Sequence, residues 1–202
     1  MAEYPDVIKT LSSRFGDAAM LAAGLMKRSK TGRAVGSFWY YYAKKVGFLV
    51  IPYLVDGRPV YLKARPPLSK AQAEARDVVR FLNTAATIPA LYNVDALKSR
   101  PARVLVCEGE SDTWTALSAG YAAVGVPGAN NFKPEWAGLF RGFVEADGKS
   151  AVYLVFDTDA KGIEGSRIVA DIFQRAGLLV PRRVIIPDGK DLTDFMKGGL
   201  TS

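Results

Sequence analysis

The segment Val155-Phe156-Asp157-Thr158-Asp159-Ala160-Lys161-Gly162 joins the end of an apolar strand, two aspartates and the start of a helix. Residues 151–156 are apolar, as in a buried strand, and residues 161–176 repeat apolar side chains at helical spacing. Asp157 and Asp159 lie two positions apart, so in extended backbone both carboxylates point to one side. The segment predicts a strand, an acidic loop and a helix. A simpler interpretation stays open, in which one aspartate caps the helix and the other faces solvent.

Apolar strands and helices alternate through residues 101–202. This alternation predicts an α/β fold, a parallel sheet flanked by helices on both faces. Four strands are expected at residues 104–106, 122–126, 151–156 and 183–187, and helices at 111–119, 134–143, 161–176 and directly after Asp191.

Acidic side chains follow two other strands of this predicted sheet as well. Glu108 comes after the first strand, and Asp188, Asp191 and Asp194 come after the fourth. The carboxyl ends of parallel strands meet at one edge, so we expect these groups to converge on Asp157 and Asp159. Oxygen ligands without a neutralising base indicate a hard divalent cation, Mg²⁺ in the first instance and Mn²⁺ as an alternative. Asp112 falls in a first helical turn, where capping is an equally good interpretation.

Residues 1–100 differ from the second half in their pattern of predicted elements and in charge. We expect them to form a smaller, basic α+β region. A helix is expected over residues 4–27, then strands at 47–55 and 59–65 joined by the hairpin turn Asp56-Gly57. Residues 69–80 are consistent with either a charged helix or a loop. This half holds 16 Lys and Arg against 7 Asp and Glu, a net charge of +9 within a total of +7. Such a surplus favours a polyanion-binding surface, and we place a domain boundary near residue 100.

Composition excludes several classes of chemistry. Cys107 is the only cysteine, so neither an internal disulfide nor a cysteine-based zinc site can form. The chain has no histidine, which removes histidine-dependent nucleophile systems and imidazole as acid or base. No stretch is long and apolar enough for a bilayer, and residues 1–6 do not resemble a secretory signal. We therefore expect a cytoplasmic protein, encoded by a cell, a phage or a plasmid.

Three segments resemble the signature segments of the Toprim domain, which is shared by bacterial-type primases, topoisomerases and some nucleases. They are Glu108-Gly109-Glu110-Ser111-Asp112, Phe156-Asp157-Thr158-Asp159-Ala160-Lys161-Gly162 and Asp188-Gly189-Lys190-Asp191. The resemblance covers about residues 101–198. It implies a Rossmann-like sheet whose carboxylates hold metal ions.

The basic half resembles the segment that precedes Toprim in bacterial and phage primases. Its matching parts include Gly47-Phe48-Leu49-Val50-Ile51-Pro52-Tyr53, Tyr61-Leu62-Lys63-Ala64-Arg65 and Arg80-Phe81-Leu82-Asn83-Thr84. Together the two halves resemble the RNA-polymerase domain of a primase, which makes short RNA primers on single-stranded DNA. The zinc-binding module of a full primase has no counterpart here, so a separate zinc-binding chain and a replicative helicase are candidate partners.

The primase resemblance implies a role for each site residue. Glu108, Asp157 and Asp159 would be catalytic and would hold metal, with Asp191 and Asp188 as further ligands. Contacts with template or ribonucleoside triphosphates would come from Lys63, Arg65, Arg80, Asn83, Asp112 and Asp194. For Lys63 and Arg65, an exposed strand position without a ligand is nearly as good an interpretation.

Two other functions stay open at this point. A Toprim nuclease uses similar carboxylates to cleave a strand. A binding module without activity could stack bases on the aromatic run Phe38-Trp39-Tyr40-Tyr41-Tyr42, which lies near Arg33, Lys44 and Lys45. Packing of this run in a core is the more common outcome for such residues.

Overall fold

The computed structural model describes residues 5–22, 26–28, 34–36, 40–43, 46–66, 68–84, 88–187 and 191–198. The chain divides into two compact units, Met1–Ala90 and Leu91–Ser202. The division falls earlier than the boundary expected near residue 100. The reason is that Leu91 and Tyr92 are almost fully buried and Tyr92 pairs with Gly125 of the second unit.

The first unit is antiparallel β-structure preceded by a helix. Its elements are α1 (Pro5–Ala22), β1 (Met26–Arg28), β2 (Ala34–Gly36), β3 (Tyr40–Ala43), β4 (Val46–Val55), β5 (Arg58–Arg65), α2 (Lys70–Ala75) and β6 (Leu82–Asn83). Strand β1 pairs with β2, and a second sheet has the order β3-β4-β5-β6. The helix expected over residues 4–27 is too long, because it kinks at Gly16 and Met26–Arg28 pairs as a strand.

The hairpin between β4 and β5 has the turn that its sequence predicts. Asp56 and Gly57 both have positive φ, at 54° and 70°. Such a pair forms a two-residue turn whose twist matches that of the strands. The register that the turn begins shifts by one residue between Leu54 and Tyr53. Beyond this shift, Lys63 lies opposite Ile51 of β4 and Asn83 of β6.

Residues 69–80 contain a short helix, which settles the choice between helix and loop for Lys70–Ala75. Ser69 caps it: the Gln72 backbone N–H donates to the Ser69 hydroxyl, and the Ser69 N–H donates to the Gln72 side chain. This reciprocal capping box satisfies two donors that a helix start otherwise leaves without partners.

The second unit is the predicted α/β fold. Its strands are β7 (Val104–Cys107), β8 (Ala123–Gly125), β9 (Val152–Val155) and β10 (Arg182–Arg183), all parallel, in the order β10-β9-β7-β8. The helices are α3 (Glu110–Ser118), α4 (Ala160–Arg175) and α5 (Leu192–Gly198), with 3₁₀ turns at Val94–Ser99, Ala129–Asn131 and Pro134–Phe140.

Strand side chains alternate between two cores on opposite faces of this sheet. Val106 and Leu154 belong to one core, which includes Phe173 of α4. Cys107 and Val155 belong to the other, which Leu192 of α5 packs against. Apolar residues on both faces explain why the strands read as continuous apolar runs in the sequence.

Two elements of this unit are shorter or tighter than expected. The strand expected at residues 183–187 pairs only over Arg182–Arg183, with one further backbone bond from Val184 to Leu154. The helix expected at 134–143 is a 3₁₀ helix that ends at Phe140, where the chain turns to pack Phe143 in the core. Across the described residues, no helix meets the length and apolarity that a bilayer span requires.

Candidate active site

Glu108 and Asp157 follow the two central strands of the parallel sheet. Cys107 of β7 lies opposite Val155 of β9, so the two acidic residues leave the sheet at the same edge. The Asp157 backbone N–H donates to Glu108 Oε2 over 3.4 Å. The parallel topology thus brings together residues that are 49 positions apart in the chain.

Burial and mutual repulsion disfavour the charged forms of these carboxylates. Burial raises the pKa of Glu108 to about 7, and the charges of Asp157 and Asp159 add to the effect. The pKa of Asp157 is also raised, first by burial and then by Asp191, Asp159 and Asp194. A site in which like charges oppose one another this way favours a bound cation.

Asp159 caps α4. The Gly162 backbone N–H donates to Asp159 Oδ1 over 2.8 Å. Gly162 lies so close to the preceding loop that a Cβ atom there would stand 2.1 Å from the Asp157 carbonyl oxygen. The missing side chain at Gly162 therefore allows α4 to begin directly against the Asp157 loop. The capping interpretation holds for Asp159, and it uses one of the two carboxylate oxygens.

Asp112 joins α3 to α5 from a buried position. The Thr193 N–H and hydroxyl donate to Asp112 Oδ1 over 3.2 and 2.7 Å, and the Thr115 and Thr193 hydroxyls lie 2.9 Å apart. Burial raises the pKa of Asp112 to about 6, and the charges of Asp191 and Asp157 contribute. With 6% of its surface exposed, Asp112 holds the last helix in place. Its contact with a nucleotide or template stays a prediction.

The third acidic segment reaches the same edge through Asp191 and Asp194. Asp191 Oδ1 accepts from the Asp194 N–H over 2.6 Å at the start of α5. Both residues act on the pKa of Asp157, so their charges lie near it. Asp188 lies outside the described residues.

Arg183 is a site residue that sequence reasoning missed. From β10 its Nη2 donates to the Asp157 carbonyl oxygen over 3.2 Å, while its buried Nε has no hydrogen-bond partner. A signal for it is present, because Arg182-Arg183 is an unusual pair for a strand packed against an apolar sheet. Arg182 instead contacts Tyr153 and Glu145. Arg183 places a positive charge beside the acidic loop and ties that loop to the edge strand.

The donor set fits a divalent cation. Glu108, Asp157 and Asp159 form no salt bridge with any basic side chain in the described ranges. Oxygen ligands of this kind suit Mg²⁺ and Mn²⁺. Among the described residues, which do not include Asp188, no group of three acidic or cysteine side chains is arranged closely enough to hold a metal ion.

In the first unit, the predicted basic residues gather around an aromatic ring. The Lys63 ammonium lies 4.4 Å and the Arg80 guanidinium 5.6 Å from the centre of the Phe81 ring. Arg65 and Arg80 both line a cavity of about 100 Å³ beside it. Phe81 itself was not assigned a role from the sequence, although it directly follows Arg80, which was.

The aromatic run at residues 38–42 lies only partly within the described residues. Phe38 and Trp39, together with Arg33, Lys44 and Lys45, are not among the described residues. Tyr40–Ala43 forms β3, whose backbone pairs with β4. The choice between base stacking and core packing stays a prediction.

Comparison with known proteins places these features in context. A protein family described as Toprim-like matches residues 105–196, a range that contains every predicted acidic site residue. The Gene 57 protein of Mycobacterium phage D29 is 31% identical over 117 residues, which are 58% of this chain and 70% of that protein.

Solved structures of primases share the fold. The primase fragment of the bacteriophage T7 primase-helicase protein aligns with a TM-score of 0.59 at 20% identity, over 91% of this chain and 66% of that one. The RNA polymerase domain of Mycobacterium tuberculosis primase DnaG aligns with a TM-score of 0.56 at 23% identity, over 95% of this chain and 62% of that one. The chain thus spans less than two thirds of either solved chain.

Proposed function

The chain is a Toprim-domain protein that belongs to the family of the Gene 57 protein of Mycobacterium phage D29, and we propose that it is a DNA primase catalytic core. It would join ribonucleoside triphosphates into short RNA primers on single-stranded DNA. The observation that carries this proposal is the convergence of Glu108, Asp157 and the Asp191 segment on one edge of the Toprim sheet. The primase-like fold of both halves supports it.

The acidic edge would hold one or two Mg²⁺ or Mn²⁺ ions. Asp157, Asp159 and Glu108 are the proposed ligands, with Asp191 and either Asp188 or Asp194 completing the set. Bound metal would orient the incoming triphosphate, favour ionisation of the primer 3′-hydroxyl and offset charge on the departing pyrophosphate.

The protein's own groups would prepare this edge for a substrate. Glu108 would act either as an outer metal ligand or as a general acid or base. Without a bound cation, its pKa of about 7 lets it hold or release a proton at Oε1 or Oε2 near neutral pH. Asp112 and Thr193 would keep Asp191 in place through their hydrogen bonds. Arg183 would fix the Asp157 backbone through its carbonyl oxygen.

The basic first unit would bind phosphates of the template or of the incoming nucleotides. Lys63, Arg65 and Arg80 supply the positive charge, and Asn83 lies opposite Lys63 on the neighbouring strand. Phosphate contacts of this kind give affinity without reading sequence. A zinc-binding module or a replicative helicase on another chain would complete the machinery. The phage relative supports a phage origin among those considered.

Primer synthesis can be tested directly. The chain would be incubated with single-stranded template, labelled ribonucleotides and Mg²⁺ or Mn²⁺, with and without a primase zinc-binding module. We expect metal-dependent oligoribonucleotides, and Asp157→Asn should abolish them. Asp147→Asn is the matched control, because Asp147 is a surface aspartate paired with Lys149 and outside the acidic edge.

Each other outcome of this assay contradicts the proposal in a defined way. Metal-dependent shortening of a labelled strand, lost in Asp157→Asn, would identify a Toprim nuclease. Template binding that neither chelation nor Asp157→Asn changes, without any product even with the added module, would identify a binding protein.

A further inference from the structure

Phe81 is an exposed aromatic residue with two cations close to its ring. Its side chain is 41% exposed, and it directly precedes β6, in which Leu82 is partly buried and Asn83 is exposed. Lys63 and Arg80 place their charges within 6 Å of the ring centre. A cation at that distance is attracted to the ring and is held close to any group that stacks there.

A small polar cavity adjoins the same ring. Arg65, Arg80 and Phe81 line it together with Ser69 and the buried Ala73. Its volume of about 100 Å³ is well below the roughly 300–1,000 Å³ of sites that enclose a whole small ligand. The cavity therefore suits one anionic group, such as a single phosphate, and a larger ligand would extend out across the exposed ring.

We propose that Phe81 is the stacking residue of a site for one nucleotide of a single strand, with the base on the Phe81 ring and its phosphate in the Arg65–Arg80 cavity. The identity of the strand as a primase template rests on the proposed function. The stacking itself rests on the geometry of the first unit. An aromatic face and a nearby positive charge are the two elements by which proteins bind single strands without sequence preference.

Stacking and charge leave different signatures in binding data. Phe81→Leu keeps an apolar side chain of similar size but removes the aromatic face. It should weaken binding of a labelled single-stranded oligonucleotide by about fivefold or more, and it should leave the dependence of log K on log salt unchanged. Arg65→Gln should instead reduce that slope by about 0.7, the value for one phosphate contact on a single strand.

A second measurement reports on stacking alone. The fluorescence of an oligonucleotide that carries 2-aminopurine changes when the base stacks on a ring. We expect this change with the unsubstituted protein and with Phe81→Tyr, and its loss with Phe81→Leu. Tyr121→Leu is the control, because Tyr121 is a 55% exposed aromatic residue of the other unit. Thermal unfolding of each variant shows that folding is intact.

The proposal is overturned if Phe81→Leu binds the oligonucleotide as tightly as the unsubstituted protein, or if its salt slope falls as it does in Arg65→Gln. It is also overturned if Phe81→Leu weakens binding of free ribonucleoside triphosphate and leaves strand binding intact. These results do not depend on primer synthesis. A failure of the synthesis assay with normal Phe81-dependent strand binding would refute the proposed activity and leave the binding site standing.

Discussion

Replacing Asp112 with asparagine is expected to stabilise the protein at neutral pH. Asp112 has a pKa of about 6, raised mainly by burial and further by Asp191 and Asp157, whereas an aspartate in an unfolded chain has a pKa of about 3.9. The unfolded chain therefore loses this proton first. Ionisation of Asp112 therefore lowers the free energy of unfolding progressively as pH rises from about 4 to about 6.

The magnitude follows from the two pKa values. Each unit of pKa corresponds to about 1.4 kcal/mol, so ionisation of Asp112 costs about 3 kcal/mol of folding free energy above pH 7 and about 2 kcal/mol between pH 4.5 and 7.5. Asparagine cannot ionise, and its Oδ1 can still accept both hydrogen bonds from Thr193. The stability of Asp112→Asn relative to the unsubstituted protein should therefore grow with pH over this range.

Urea unfolding at several pH values between 4.5 and 7.5 measures this difference, with tryptophan fluorescence as the signal and a chelator present. The chelator matters because a bound cation would lower the pKa of every nearby carboxylate. Asp147→Asn is the control. Lys149 lowers the pKa of Asp147, so the stability that Asp147 contributes is present at neutral pH and lost as pH falls. A difference for Asp112→Asn that is flat, or that shrinks as pH rises, would refute the reasoning.

Three further variants or conditions test the acidic edge. Gly162→Ala should destabilise the protein by about 2 kcal/mol or more in urea unfolding, because its Cβ would lie 2.1 Å from the Asp157 carbonyl oxygen. Gly138→Ala is the control: Gly138 has open space around it, so the same measurement should show a change of less than about 0.5 kcal/mol. Arg183→Gln should lower the kcat of primer synthesis about tenfold with little change in KM, and Arg183→Lys should restore part of it through a new donor to Asp157. Mg²⁺ at about 100 times its Kd should stabilise the protein by about 2.7 kcal/mol and raise its Tm, an effect that Asp157→Asn should remove.

The results that would contradict these expectations are equally specific. Equal stability of the two alanine variants would mean that the Gly162 backbone can move away from Asp157 at little cost. A rise in KM with unchanged kcat in Arg183→Gln would mean that Arg183 binds substrate directly and does not position Asp157. A Mg²⁺-induced rise in Tm that persists in Asp157→Asn would place the ion elsewhere.

The sheet and its acidic edge are predictable from sequence because they depend on local patterns. The apolar strands before Glu108 and Asp157 are buried on both faces, which produces continuous apolar runs, and parallel strands have their carboxyl ends at one edge. The Asp56-Gly57 turn is equally local, since two residues with positive φ are enough to define it.

Contacts between distant segments could not be predicted in this way. Asp112 binds Thr193 across 81 positions, and nothing near Asp112 in the sequence indicates that partner. The link from Arg183 to the Asp157 carbonyl depends on where a two-residue edge strand stops. The helix predicted over residues 4–27 is longer than the observed one, because pairing of Met26–Arg28 with β2 outweighs a weak helical periodicity.

The pairing of Tyr92 with Gly125 determines where this protein could be divided. Strand β8 is an outer strand of the parallel sheet, and the backbone groups of Tyr92 satisfy both the N–H and the carbonyl of Gly125. The Tyr92 hydroxyl also accepts from the Trp114 indole inside the fold. A fragment that began at residue 101 would leave this edge open for pairing with other chains, which favours aggregation. A fragment that began at Leu91 would keep this edge covered and is the better choice when the Toprim half is studied by itself.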